Sequence, residues 1–130
     1  MEPFDHLPHR QPFVMLDNAE VIEEGRHAKG IKLITVNDPA VLPGGIMPDI
    51  YIIEAMAQIS GIAGGRKESS RFAAIKNLNF SRTAYAGDTL ELESIFEKKF
   101  SGLCMFRCRA SVSGDTVAEG GIILYFDETA

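Results

Sequence analysis

At 130 residues, with 45% hydrophobic and 24% charged residues, the chain has the composition of one soluble globular domain, expected to span residues 1–130. A net charge of −5 without a Lys/Arg run argues against nucleic acid or an anionic membrane surface as a partner. Residues 1–10 carry neither a basic nor an apolar signal segment. The longest apolar stretch, residues 50–63, is interrupted by Glu54 and Gln58 and is shorter than the roughly 20 residues a membrane span needs, so a cytoplasmic location is expected.

The start, Leu7-Pro8-His9-Arg10-Gln11-Pro12, is polar and proline-punctuated, which predicts a turn or a single helical turn. Residues 13–23 read as a strand with Val14, Leu16, Val21 and Ile22 buried. After a turn at Gly25, residues 28–36 read as a second strand, Ile31, Leu33 and Thr35 alternating against Lys32 and Ile34. Residues 37–48, with three prolines and an adjacent glycine pair, predict a loop. A helix then follows from Pro48-Asp49, with Asp49 expected as its N-cap, and it ends near Gly64-Gly65, ahead of Arg66 and Lys67. Four more strands are predicted at residues 71–80, 89–98, 103–112 and 116–127, with hairpin turns at 99–102 and 113–115.

Cys104 and Cys108 sit four residues apart in one predicted strand, roughly 13 Å, which excludes a disulfide between them and leaves buried packing as their expected role. The order is two strands, one long helix, four strands. A helix that is apolar nearly all round has to be covered on several sides, and a strongly curved antiparallel sheet wrapped around it does so. The expected class is α+β.

The helix carries a polar stripe. Tyr51, Glu54 and Gln58 share one face at i, i+3 and i+7, and Gly61 and Gly65 continue that face without side chains. An ionised carboxylate in an apolar interior costs several kcal/mol unless it is paired or faces water. Two readings follow: Glu54 holds the helix in register through a buried hydrogen bond, or it points into a ligand tunnel as a proton donor.

Three stretches resemble the FabZ/FabA-type 3-hydroxyacyl-thioester dehydratases. They are Leu7-Pro8-His9-Arg10-Gln11-Pro12-Phe13 with Leu16-Asp17; Val36-Asn37-Asp38-Pro39 followed by Met47-Pro48 and Ile52-Ile53-Glu54-Ala55-Met56-Ala57-Gln58; and Phe80 through Gly87-Asp88-Thr89-Leu90 to Gly114-Asp115-Thr116-Val117-Ala118-Glu119. The resemblance implies a dimeric hotdog fold and a substrate tunnel at the dimer interface. Its substrate would be an acyl thioester on acyl carrier protein or coenzyme A. Such enzymes form a trans-2-enoyl thioester by removing water: a histidine takes the α-proton, a helix carboxylic acid protonates the leaving hydroxyl, and amides at the helix N-terminus hold the enolate-like oxygen. Carried over, Glu54 is the acid, Tyr51, Gln58 and Gly61 border the tunnel, and Asp49 and Ile50 stand at the oxyanion position. No cofactor or metal is implied.

The pattern breaks at the base. Where family members carry Gly-His-Phe-Pro-Gly, this chain runs through Ala40-Val41-Leu42-Pro43-Gly44-Gly45 without a histidine, and the family's Pro-Gly at the helix start is Pro48-Asp49. Loss of a general base costs a factor of about 10² to 10⁴ in rate. His9 belongs to the Leu-Pro-His-Arg motif and reads as a structural residue; His6 and His27 earn no catalytic assignment. The shortened loop resembles the branch associated with aryl polyene pigment clusters, in which such a subunit pairs with a more orthodox hotdog dehydratase. The expected assembly is a homodimer, or a heterodimer with a His-bearing hotdog subunit to which this chain lends Glu54. The alternatives are a non-catalytic acyl-thioester-binding or partner-stabilising subunit, and a hotdog thioesterase. Arg66, Lys67, Arg71 and Arg82 are candidate carrier-protein contacts.

Overall fold

Residues 16–65 and 70–126 are described by a computed structural model, and alternation of apolar and polar side chains places most of them in strands. The order is β1 (Asn18–Glu23), β2 (His27–Leu33), β3 (Ile46–Met47), α1 (Asp49–Gly64), β4 (Ser70–Phe80), β5 (Ala84–Tyr85), β6 (Thr89–Phe100), β7 (Leu103–Val112) and β8 (Asp115–Phe126). Six strands form one antiparallel sheet in the order β1-β2-β6-β7-β8-β4, and β3 pairs with β5 in a separate two-stranded sheet. One helix packs on the curved antiparallel sheet, the hotdog architecture.

The hairpins follow local chemistry. Ser101-Gly102 and Ser113-Gly114 are two-residue loops in which both residues have positive φ (48° and 83°, 50° and 84°). That is the type I′ geometry whose twist matches the flanking strands. The helix ends as its glycines predict: Gly65 adopts φ 67° and its N–H bonds Ile62 O at 3.0 Å.

The first two strands depart from the periodic reading. Residues 13–15, with Val14 and the N-terminal turn, lie outside the described residues. Leu16 is buried ahead of β1 and Val21 is half-buried within it, whereas Ile22 is exposed because the β1–β2 register shifts between Val21 and Glu23. In β2, Ala28 and Gly30 face the core; Ile34 is buried just beyond the strand, while Leu33 turns outward. The strand stops at Leu33 rather than Val36, since Ile34 exchanges backbone bonds with Asp88 and Gly87 instead of continuing the ladder. The β3–β5 pair was not anticipated.

The core fills the space between α1 and the inner sheet face, with Ile52, Met56, Ile59 and Ile62 from the helix against Leu90, Leu92, Phe106, Ile122 and Leu124. Phe106 meets Phe96 edge-on at 5.7 Å and Phe126 at 6.4 Å. The helix is not covered all round. Ile50 (65% exposed) and Tyr51 (40%) stand in solvent, with Ile53, Glu54 and Ala57 half-buried beside them.

The outer sheet face carries a transverse row of alternating charge. Glu20 on β1 pairs with Lys29 on β2, Lys29 with Glu93 on β6, Glu93 with Arg109 on β7, and Arg109 with Glu119 on β8. Each opposed pair favours this register over a slipped one. At the far side of the sheet, β4 crosses β8 at very short range: a Cβ on Gly120 would stand 2.6 Å from Leu78 Cα and 2.7 Å from Asn77 O. Those are backbone atoms of a bulge between Lys76 and Asn79, and they have little room to yield. Gly120→Ala is therefore expected to destabilise by about 1–3 kcal/mol, read as a lowered midpoint in urea unfolding.

Candidate active site

The polar stripe on α1 descends from solvent into the core. Tyr51 is 40% exposed, Glu54 is half-buried and Gln58 is 4% exposed. Gln58 Nε2 donates to Glu54 Oε1 across 3.5 Å, so the amide one turn on steadies the carboxyl without enclosing it. Gly61 is buried on the same face.

The helix start differs from expectation. Pro48, extended at φ −61° and ψ 145°, is the N-cap and offers no side-chain bond, whereas Asp49 is the first helical residue. A carboxylate there interacts with the positive end of the helix dipole rather than capping an amide. The amides of Asp49 and Ile50 thus lie beside an exposed carboxylate and an exposed isoleucine.

The loop before β3 is short and tied down. Lys32 occupies the core-facing phase of β2 opposite Leu90, and its ammonium emerges to meet Asp38 Oδ2 at 2.9 Å, both side chains being largely buried. Asp38 Oδ1 also accepts the Ala40 N–H at 2.9 Å. Burial alone would raise the Asp38 carboxyl, but the Lys32 and Ala40 hydrogen bonds and the Lys32 charge outweigh it and hold the group below its ordinary value. Backbone bonds from Leu42 N to Ile46 O and from Gly45 N to Leu42 O close the rest of the loop. It is compact and supplies no imidazole.

Among the described residues the single histidine is His27. It lies on the outer sheet face, where Nε2 meets Glu93 Oε2 at 2.6 Å, and the sheet separates it from α1. His6 and His9 lie outside the described residues, as do Arg66 and Lys67. Arg71 is exposed on β4, and Arg82 is shared between Asp88 (3.8 Å) and Asp115 (3.6 Å).

Sequence reasoning missed the device that seats the helix. Ser60 Oγ donates to Met56 O at 2.8 Å and lies 2.8 Å from both Ser94 Oγ on β6 and Cys108 Sγ on β7. Cys108 in turn donates to Ser94 Oγ at 3.2 Å. All three side chains are buried, so this triangle satisfies polar groups that would otherwise be costly inside the core. Burial pushes the Cys108 thiol up to about 11, although both serine bonds pull the other way. Cys104 is also a buried, unbridged thiol. A serine in mid-helix and another at a core-facing strand position were the available signals; their partnership depends on register.

Concavities among the described residues lie away from the stripe. One of about 400 Å³ lies on the outer sheet face among Glu20, Lys29, Ile31, Glu91, Glu93 and Arg109, where Lys29 approaches Glu93 at 4.0 Å and Arg109 is held by Thr116 and Gly114. The other, about 170 Å³, lies near the helix C-terminus among Gly64, Phe96, Lys99, Cys104, Phe106 and Phe126. Neither borders Tyr51, Glu54, Gln58 or Gly61. The Tyr51–Glu54 end of the stripe instead opens on the uncovered face of α1. No described helix is long and apolar enough to cross a membrane.

Residues 7–121 match the family model described as the FabA-like domain. The chain is 39% identical over 130 residues to the 3-hydroxyacyl-[acyl-carrier-protein] dehydratase FabZ of Syntrophotalea carbinolica, covering 92% of this chain and 88% of that one. It is 37% identical over 125 residues to the FabZ of Acetivibrio thermocellus, covering 89% and 86%. Among solved structures it superposes on a chain of the dehydratase heterocomplex ApeI:P from Xenorhabdus doucetiae with a TM-score of 0.85 at 20% identity, covering 99% of this chain and 93% of that one. The E. coli PaaI protein of the phenylacetic acid degradation operon superposes at 0.69 and 14% identity, covering 82% of each.

Two outcomes follow. Asp38→Asn removes the charge facing Lys32 and is expected to cost about 1–3 kcal/mol of stability near neutral pH. Because the folded carboxyl lies below its ordinary value of 3.8, the wild-type advantage is complete above that value and shrinks as acid titrates the folded group, which denaturation at stepped pH will show. Cys108, buried with a thiol pushed up to about 11, is expected to resist alkylation at pH 8 in the native protein and to react once unfolded in urea, as read by peptide mass spectrometry.

Proposed function

The chain belongs to the FabA-like domain family, and from that premise we propose that it serves a 3-hydroxyacyl-thioester dehydratase as the acid-donating subunit. One observation carries the reading: a half-buried carboxyl, Glu54, sits on an apolar helix face left uncovered beside a short loop that brings no base. Ile50 and Tyr51 extend that face, an arrangement suited to a second hotdog subunit. The Xenorhabdus doucetiae fold neighbour is itself part of a dehydratase heterocomplex.

In the proposed complex a histidine of the other subunit removes the α-proton of a 3-hydroxyacyl group carried on acyl carrier protein or coenzyme A. The amides of Asp49 and Ile50 receive the enolate-like oxygen. Glu54 gives its proton to the hydroxyl at C3, the C3–O bond breaks, water leaves, and the C2–C3 double bond forms. Glu54 ends as a carboxylate and the histidine ends protonated, so proton exchange with solvent restores both. Gln58 keeps the Glu54 carboxyl oriented through its amide. Tyr51 and Gly61 border the path of the acyl chain. Asp49 sets a limit, because its charge opposes negative charge developing at the first amides, and the expected consequence is weak activity for the chain alone.

The test is co-purification with a His-bearing hotdog dehydratase, followed by product analysis on a 3-hydroxyacyl thioester. Glu54→Gln is expected to lower enoyl formation by the complex by about 10²- to 10⁴-fold while leaving the complex assembled. Full activity in that variant overturns the acid assignment. Release of free acid and thiol in place of enoyl product identifies thioester hydrolysis instead.

A further inference from the structure

Strand register brings together, on the outer face of the sheet, residues that the sequence scatters. Three successive rows cross β6, β7, β8 and β4. The first is Phe100, Leu103, Tyr125 and Arg71; the second is Lys98, Met105, Ile123 and Ala74; the third is Ile95, Arg107, Gly121 and Lys76. Phe100 is 74% exposed at the tip of the β6–β7 hairpin, and Leu103 and Tyr125 are exposed beside it. Met105, Ile123 and Ile95 are half-buried between them. The four charged members, Arg71, Lys76, Lys98 and Arg107, are all cations and all exposed. Among the described residues the one acid in this end of β6 is Glu97, the extra residue of the bulge between Phe96 and Lys98, which belongs to no paired row. The next row, Glu93, Arg109 and Glu119, returns to alternating charge.

From this surface we infer that the chain docks peripherally on a membrane bearing anionic lipid, with Phe100 and Tyr125 at the interface and the four cations over the headgroups. A second copy placed face to face would set cation against cation. Leu103 and Met105 on β7 lie directly beside Tyr125 and Ile123 on β8, and such a sheet face offers a plane rather than a groove for a helix or an anchoring side chain. Its aliphatic centre gives stacked bases few rings to pack on. Aromatic and aliphatic side chains rimmed by Lys and Arg are the composition of interfacial anchors. The overall charge of −5 does not forbid this, because charges beyond about 8 Å are largely screened at physiological ionic strength and the local cations dominate. The absence of a Lys/Arg run hid the patch, since its cations come from three strands. The surface lies on the opposite side of the sheet from α1, so docking leaves the Glu54 face free, and the inference stands apart from the proposed chemistry.

The test is co-sedimentation of the purified full chain with vesicles of phosphatidylcholine alone or with 30 mol% phosphatidylglycerol at 0.1 M salt. Binding is expected only with phosphatidylglycerol and is expected to weaken as salt is raised. Lys98→Glu/Arg107→Glu is expected to reduce binding at least tenfold, at about fivefold for each cation lost and more for reversal. Phe100→Ser also reduces it. Lys29→Glu, which shifts net charge as much as either single reversal within the patch but lies outside it, leaves binding within about twofold, and circular dichroism confirms that each variant folds. No sedimentation with phosphatidylglycerol, equal sedimentation with phosphatidylcholine, or full binding by the double variant overturns the inference. Binding to a single-stranded oligonucleotide without binding to vesicles overturns it in favour of nucleic acid.

Discussion

A helix made almost wholly of apolar residues has one stable home, a cover that removes its side chains from water, and the curved sheet supplies that cover on the side it reaches. Backbone polarity poses no difficulty, since α1 satisfies its own amides internally. What remains is to choose one rotation and one axial position for a smooth apolar cylinder. The triangle of Ser60, Ser94 and Cys108 makes that choice, because a helix slid or turned by one residue would strand three buried polar groups. The seat of Ser60 in turn fixes the direction of Glu54 and Gln58, six and two residues earlier on the same helix.

Functional meaning therefore rests on an asymmetry of α1. Its C-terminal half, through Ile59, Ile62 and Ala63, is enclosed, while Ile50, Tyr51 and Ile53 at the other end are not. The loop beside that open end is held by Lys32 and Asp38 in a compact path. A half-buried carboxyl beside a fastened loop without a histidine fits the proposed subunit that contributes half of a reaction centre.

Local rules made much of this legible. The segments 99–102 and 113–115 announced both hairpin turns, alternation announced the long strands, and the adjacent glycines announced the helix end. Apart from the helix cap, where the neighbouring residue decides, the misreadings share one cause, contact between residues distant in sequence. Ile22 looked buried by alternation, but a bulge turns it out. Asp49 looked like a cap, but the extended Pro48 takes that position. The partners of Ser60 and the rows around Phe100 exist only once β6, β7, β8 and β4 are aligned, and no spacing along the chain encodes that alignment.

Both outer strands of the six-stranded sheet break their own regularity. The register of β1 shifts between Val21 and Glu23, and that of β4 shifts twice, between Phe72 and Ala74 and between Lys76 and Asn79. A free strand margin with an even run of unpaired amides and carbonyls invites templated growth into fibrils. Interrupted margins deny such growth an even template, so the irregularity of β1 and β4 is itself a guard against endless polymerisation.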